Sequence, residues 1–121
     1  MSNAIRSIIR LTAAHFGLSP EQLTAHNRTW RVSRARQVAM RLCCEQGRWS
    51  LPKIGERFGG FDHTTVLYAR ERVAELEARE PAIADALAAL RPQVRALLAA
   101  SEAAARTLRA TVEAARLGGR A

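Results

Sequence analysis

Between Ser50 and Asp62 the chain carries a helix start, a helix stop and a second helix start in quick succession, which leaves little that it can fold into. Ser50 is a favoured N-cap residue, and Pro52 is tolerated just inside a helix start because the first turn has no hydrogen bond to lose. Leu51, Ile54 and Phe58 then recur at helical spacing until Gly59-Gly60 ends the run. Asp62 caps a following helix whose Val66, Leu67, Ala69, Val73 and Leu76 form one apolar face down to Arg79. Two helices joined only by Gly59, Gly60, Phe61 and Asp62 make a helix-turn-helix.

The remaining apolar spacing is helical as well. Ile5, Ile8, Ile9, Thr12, Ala13 and Phe16 line one face of a first helix stopped by Gly17. Ser19-Pro20-Glu21-Gln22 reads as an N-cap, a first-turn proline and a capping-box glutamine, opening a short helix through Leu23. Thr24 to Val32 shows no apolar period and holds His26, Asn27, Arg28, Trp30 and Arg31, the pattern of an exposed basic loop. Ser33 is the expected cap of a third helix running to about Gln46 and ended by Gly47, with Val38, Ala39, Leu42 and Cys43 inward and Arg34, Arg41 and Glu45 outward. After Pro81, Ile83, Leu87, Leu90, Val94, Leu97 and Leu98 stripe an Ala-rich helix that Pro92 is able to kink or restart. Leu108, Val112 and Leu117 give the stretch beyond Ser101 a face of its own until Gly118-Gly119. With 121 residues and 5% aromatics, and with Leu, Ala and Arg dominant, the chain is expected to be all-α around one small core.

The formal charge is +8, carried by 18 arginines and the single lysine Lys53. From His26 to Arg72 there are ten basic residues against four acidic ones, so the excess is concentrated in one stretch. Arginine forks to phosphate and guanine, which points to nucleic acid. A high-GC genome accounts equally well for arginine over lysine, though not for the net charge. No apolar run approaches the roughly 18 residues of a membrane span, and Met1 to Arg10 lacks the core of a signal peptide, so the expected place is the cytoplasm, in association with the nucleoid. Cys43 and Cys44 are adjacent on a helix, where their side chains diverge by about 100° and do not bridge easily. Free thiols are expected there, with no metal site.

Asp62-His63-Thr64-Thr65 presents short polar side chains on the first turn of the second helix of the pair, the part of a recognition helix that meets base edges in the major groove. Threonine bonds a base or touches a thymine methyl, aspartate accepts from a cytosine amino group, and histidine donates or accepts. Taken alone, Asp62 and Thr65 read equally well as an N-terminal cap.

The string from Ser50 to Leu67, S-L-P-K-I-G-E-R-F-G-G-F-D-H-T-T-V-L, closely resembles the signature S-L-P-x-I-G-x-x-F-G-G-x-D-H-T-T-V of the C-terminal DNA-binding domain of the bacterial DnaA replication initiators. Arg34-Ala35-Arg36-Gln37-Val38-Ala39-Met40 is similar to the A-R-x-R-Q-x-A-M stretch of that family, and the likeness extends from about Ile5 to Leu98. The resemblance implies a Trp-repressor-like helix-turn-helix bundle that reads a DnaA box of TTATCCACA type, with an additional Ala-rich C-terminal helix. It implies base contacts from Asp62, His63, Thr64 and Thr65 in the major groove and from Arg28 in the minor groove. Arg36 and Gln37 match positions that contact DNA from the preceding helix, and Arg34, Lys53 and Arg57 are candidate phosphate or supporting residues. Each has an ordinary alternative: a solvated charge for Arg28, Lys53 and Arg57, an ion pair for Arg34, and a core or partner-facing place for Trp30.

The chain departs from the family at Phe61, where a basic residue is usual, at Cys44 in place of lysine, and at Trp30 in a loop normally richer in arginine. Fewer phosphate contacts imply weaker binding, a shallower salt slope or a shifted preference. There is no G-x-x-x-x-G-K-S/T loop and no catalytic Ser/His/Asp or Cys/His set, so neither nucleotide, cofactor nor enzymatic activity is expected. The expected division is residues 1–98 as the DNA-binding domain and 99–121 as a helical extension. The leading expectation is sequence-specific binding of double-stranded DNA in control of replication initiation or transcription. The alternative is a protein-interaction module that self-associates through the Ala/Leu-rich C-terminal helices and has only non-specific DNA affinity.

Overall fold

The computed structural model describes residues 4–118 as six helices in the order α1 (Ala4–His15), α2 (Pro20–Thr24), α3 (Trp30–Glu45), α4 (Leu51–Arg57), α5 (His63–Arg79) and α6 (Pro81–Gly118). Among the described residues there is no strand. Local chemistry sets most of the boundaries. Ser19 and Gln22 close a capping box at the start of α2, Ser50 accepts from the Lys53 N–H at the start of α4, and Asp62 accepts from the Thr64 N–H at the start of α5. Gly17 ends α1 with φ +68°, the left-handed conformation glycine adopts without strain.

The core is one cluster contributed by every helix. Ile5, Ile8 and Ile9 of α1 meet Leu23 of α2, Val38, Met40 and Leu42 of α3, Ile54 of α4, Val66 and Val73 of α5, and Ile83, Leu87 and Leu90 of α6. All are buried, and Phe58, which follows α4, is the largest side chain closed off completely. Cys43 is buried and Cys44 half-buried, and both are free thiols. Burial pushes the Cys43 thiol far up from its ordinary value and that of Cys44 up as well.

Two boundaries differ from the sequence expectation. The helix expected to start at Ser33 begins one turn earlier, at Trp30, with Thr29 as its cap. Val32 is buried, so the stripe through Ala35 and Ala39 reaches back into the stretch read as a loop, and Ser33 N–H is already bonded to Thr29 O at 2.8 Å. After Pro81 the chain forms one helix with Pro92 inside it. Gly118 is still helical, and Gly119, the other half of the expected stop, lies outside the described residues. The last core residue of α6 is Leu98, and residues 99–118 are exposed throughout.

Candidate nucleic-acid interface

The turn of the helix-turn-helix is built by two glycines. Gly55 O accepts from both Gly60 N (3.2 Å) and Phe61 N (2.9 Å), which brings the turn back over α4. A Cβ on Gly55 would sit 2.0 Å from Phe61 O, so no other residue fits there without moving the turn. Gly59 has φ +101°, and a Cβ on it would lie 2.2 Å from Thr24 O. Both the left-handed backbone and the close approach of α2 therefore require glycine.

The first turn of α5 emerges from this turn into solvent. Asp62, His63, Thr64 and Thr65 are all exposed, whereas Val66 directly behind them is fully buried. The helix thus stands on its apolar face with its polar N-terminus outward. The Asp62 carboxylate accepts from Thr64 N at 3.0 Å, and the same oxygen lies 2.9 Å from His63 Nδ1. These hydrogen bonds, first those with Thr64, hold the carboxyl below its ordinary range. In a neutral His63 the contact puts the proton on Nδ1 and leaves Nε2 as a free acceptor.

Across the turn lies the segment joining α2 to α3. His26, Asn27 and Arg28 of this segment face Gly60, Phe61, Asp62 and Thr65, with Arg36 at the base, around a shallow cleft of about 400 Å³. Arg28 is exposed at its rim. The fold therefore brings Arg28 and Arg36 together with Asp62 and Thr65, which come much later in the sequence, and it seats His63 and Thr64 on the same exposed helical turn.

Arg36 is not an outward cation. It is 7% exposed, and its guanidinium donates from Nε to Leu23 O (2.8 Å) and from Nη2 to Ala25 O (2.7 Å) and Asn27 O (3.0 Å). Burial lowers its pKa from the ordinary value. Its neighbours differ: Arg34 is half-buried, donates from Nη1 to Gln37 Oε1 at 3.0 Å and lies 5.4 Å from the Trp30 ring, while its Nε is buried with no partner. Trp30 is 68% exposed, which puts it outside the core. Lys53 is half-buried on α4, and exposed Arg57 lines a separate cleft of about 550 Å³ with Arg6, Arg10, Glu21 and Glu56. Neither borders the cleft beside Arg28.

Two features of this surface were not read from the sequence. Tyr68, 58% exposed, is one turn along α5 from Thr64 and Thr65, and the three-and-four spacing alone would have found it. The His26 ring stacks on Phe61 at 4.3 Å with 10° between the planes, a contact that no local pattern signals. Among the described residues no group of three or more His, Cys, Asp or Glu is placed to hold a metal ion, and no helix is long and apolar enough to cross a membrane.

Residues 5–73 match the family model described as the bacterial dnaA protein helix-turn-helix. The chromosomal replication initiator protein DnaA of Thermus thermophilus is 51% identical over 84 residues, which are 69% of this chain and 19% of that protein. The protein of the same name from Leifsonia xyli is 51% identical over 69 residues, 57% of this chain and 15% of that protein. A crystal structure described as a DNA replication initiation factor matches with a TM-score of 0.67 at 29% identity, covering 76% of this chain and 28% of the other. The chain thus spans no more than about a fifth of the curated relatives it matches.

Proposed function

Because the chain belongs to the bacterial DnaA helix-turn-helix family, we propose that it binds double-stranded DNA in replication initiation and reads DnaA-box-like sites by sequence. Asp62, His63, Thr64 and Thr65 meet base edges in the major groove, and Arg28 enters the adjoining minor groove, where a narrow A·T tract favours a lone arginine. Arg34, Lys53 and Arg57 neutralise phosphates that set the register, and the Gln37 amide donates a hydrogen bond to one. Arg36 supports the site from within. The observation that carries this reading is the exposed first turn of α5, backed by buried Val66 and flanked by the Arg28 segment across one cleft.

The chemistry of that turn is suited to reading bases. The Asp62 carboxylate is oriented by Thr64 N and by the His63 ring, so its charge serves the helix cap as well as a cytosine amino group. An acceptor at His63 Nε2 and two threonine hydroxyls add donors and acceptors within one helical turn. No phosphate-cradling loop occurs in the sequence, and nucleotide chemistry forms no part of this reading. Regulation of transcription near such sites would use the same contacts.

The test is fluorescence anisotropy with a duplex containing a DnaA box and a scrambled duplex, at low and physiological salt. Preference for the box that survives salt and disappears in His63→Ala is the expected result. Equal, salt-sensitive binding to both would reduce the protein to a basic helical surface. The second reading, self-association through the end of α6, draws support from Leu108, Val112 and Leu117, each well over half exposed. Light scattering across a concentration series decides it.

A further inference from the structure

We infer that Phe61 is the pivot of a stacked latch which fixes the Arg28 segment against the turn of the helix-turn-helix, making Phe61, His26 and Arg36 positioning residues for sequence reading. The functional half of this inference rests on the DNA-reading role proposed above. The structural half stands on contacts within the free protein.

The segment between α2 and α3 has no regular structure, and an arginine carried on such a segment would ordinarily sample many positions, at an entropic cost when DNA fixes it. Here the segment is held from both sides. From below, the Arg36 guanidinium gathers the carbonyls of Leu23, Ala25 and Asn27, so three backbone acceptors converge on one planar fork. From the side, the His26 ring lies flat on Phe61 and its Nε2 is 3.0 Å from Gly59 O. Phe61 joins the two sets, because the Arg36 guanidinium is also 4.8 Å from its ring. Phe61 is itself anchored through its N–H to Gly55 O and by packing against the core. The chain from Leu23 to Asn27 is therefore tied to the turn that launches α5, and Arg28 follows directly.

This gives the departure at Phe61 a role. A basic side chain at that place would reach for phosphate, but it would stand against the Arg36 guanidinium and offer His26 no apolar face. The chain gives up a phosphate contact and gains a fixed angle between its minor-groove arginine and its recognition helix. Binding then depends less on salt, and discrimination depends on the stack.

Backbone relaxation of the full chain without DNA, followed by anisotropy with box variants, tests both halves. In Phe61→Leu, and in His26→Ala, which alters an exposed side chain and spares the core, order parameters at residues 26–28 are expected to fall from about 0.85 to below about 0.6. Phe61→Tyr keeps the stack and should keep the order. With DNA, Phe61→Leu should lose discrimination about tenfold at the A·T positions assigned to Arg28, Arg28→Ala should lose as much, and the double variant no more than either. Unchanged order in both Phe61→Leu and His26→Ala overturns the latch. Additive losses in the double variant, or equal weakening on every sequence, overturn its positioning role. If the unaltered chain does not prefer a box at all, the DNA-reading proposal fails while the order parameters still decide the latch.

Discussion

Asp62 puts a carboxylate on the surface proposed to face phosphates, and its bonds to Thr64 and His63 give it work within the protein first. Because those bonds lower its pKa, the stabilisation they bring is complete above the ordinary aspartate value and is lost as pH falls through the lowered one. The same sign holds for Glu77, which is lowered chiefly by its hydrogen bond from Arg91. Acid unfolding followed by circular dichroism should therefore steepen below about pH 4. Asp62→Asn, which keeps a good cap and removes the titration, should flatten part of that limb. At the same scale, Thr64→Ala should weaken box binding by about 1–3 kcal/mol and leave non-specific binding nearly unchanged, because a base contact is lost and no phosphate contact is. The capping residues Ser19, Ser50 and Asp62 were legible in the sequence because a cap is a local match between one side chain and the next few N–H groups. Arg36 was not: its three closest partners are carbonyls up to thirteen positions away, and charge alone argues for the surface.

Elements were legible where punctuation and period agreed. The turn between α4 and α5 was unmistakable, since Gly59-Gly60 and Asp62 mark both sides of it. Gly59 makes the strongest single prediction here. Gly59→Ala combines a φ of +101° with a Cβ 2.2 Å from Thr24 O, and should cost at least about 2 kcal/mol in denaturant unfolding. Gly60→Ala has φ +88° but open space, so it should cost less. The start of α3 was misread because Ser33 is a better cap by residue type than Thr29, while burial of Val32 favoured the longer helix. Relations between helices left no mark in the sequence. Arg91 of α6 donates to Glu45 of α3 (2.7 Å from Nη2) and to Glu77 of α5 (2.6 Å from Nη1), pinning three helices with one side chain. Those bonds raise the Arg91 pKa and are only partly exposed. Arg91→Ala should cost about 1–2 kcal/mol, measured by thermal unfolding, and high salt should recover little of the difference in a variant that already lacks the pin.

At the scale of the whole molecule, the helix that closes the core also continues past it. Ile83, Leu87, Leu90, Val94 and Leu98 are buried, whereas every residue from 101 to 118 is exposed. The only side-chain ion pair from that stretch back to the body, among the described residues, joins Glu102 to Arg48. Exposed pairs of this kind are worth about 0–1 kcal/mol. We propose on this ground that the folding unit ends near Leu98, where the sequence reading also divides the chain, although the match to the family model stops at residue 73. A chain ended after Ala100 should then melt within a few degrees of the full chain, keep its preference for a box, and lose only helical signal. The alanine-rich end has enough intrinsic helix propensity to persist beside the body without a partner, so its order alone says nothing of one. A partner would change the arithmetic. If α6 pairs with a second copy through Leu108 and Val112, which are one helical turn apart, apolar area now in solvent is buried on association. The melting temperature of the full chain would then rise with protein concentration, and that of the shortened chain would not. Equal, concentration-independent melting of the two leaves α6 as a solvated spoke on a monomeric DNA-binding domain.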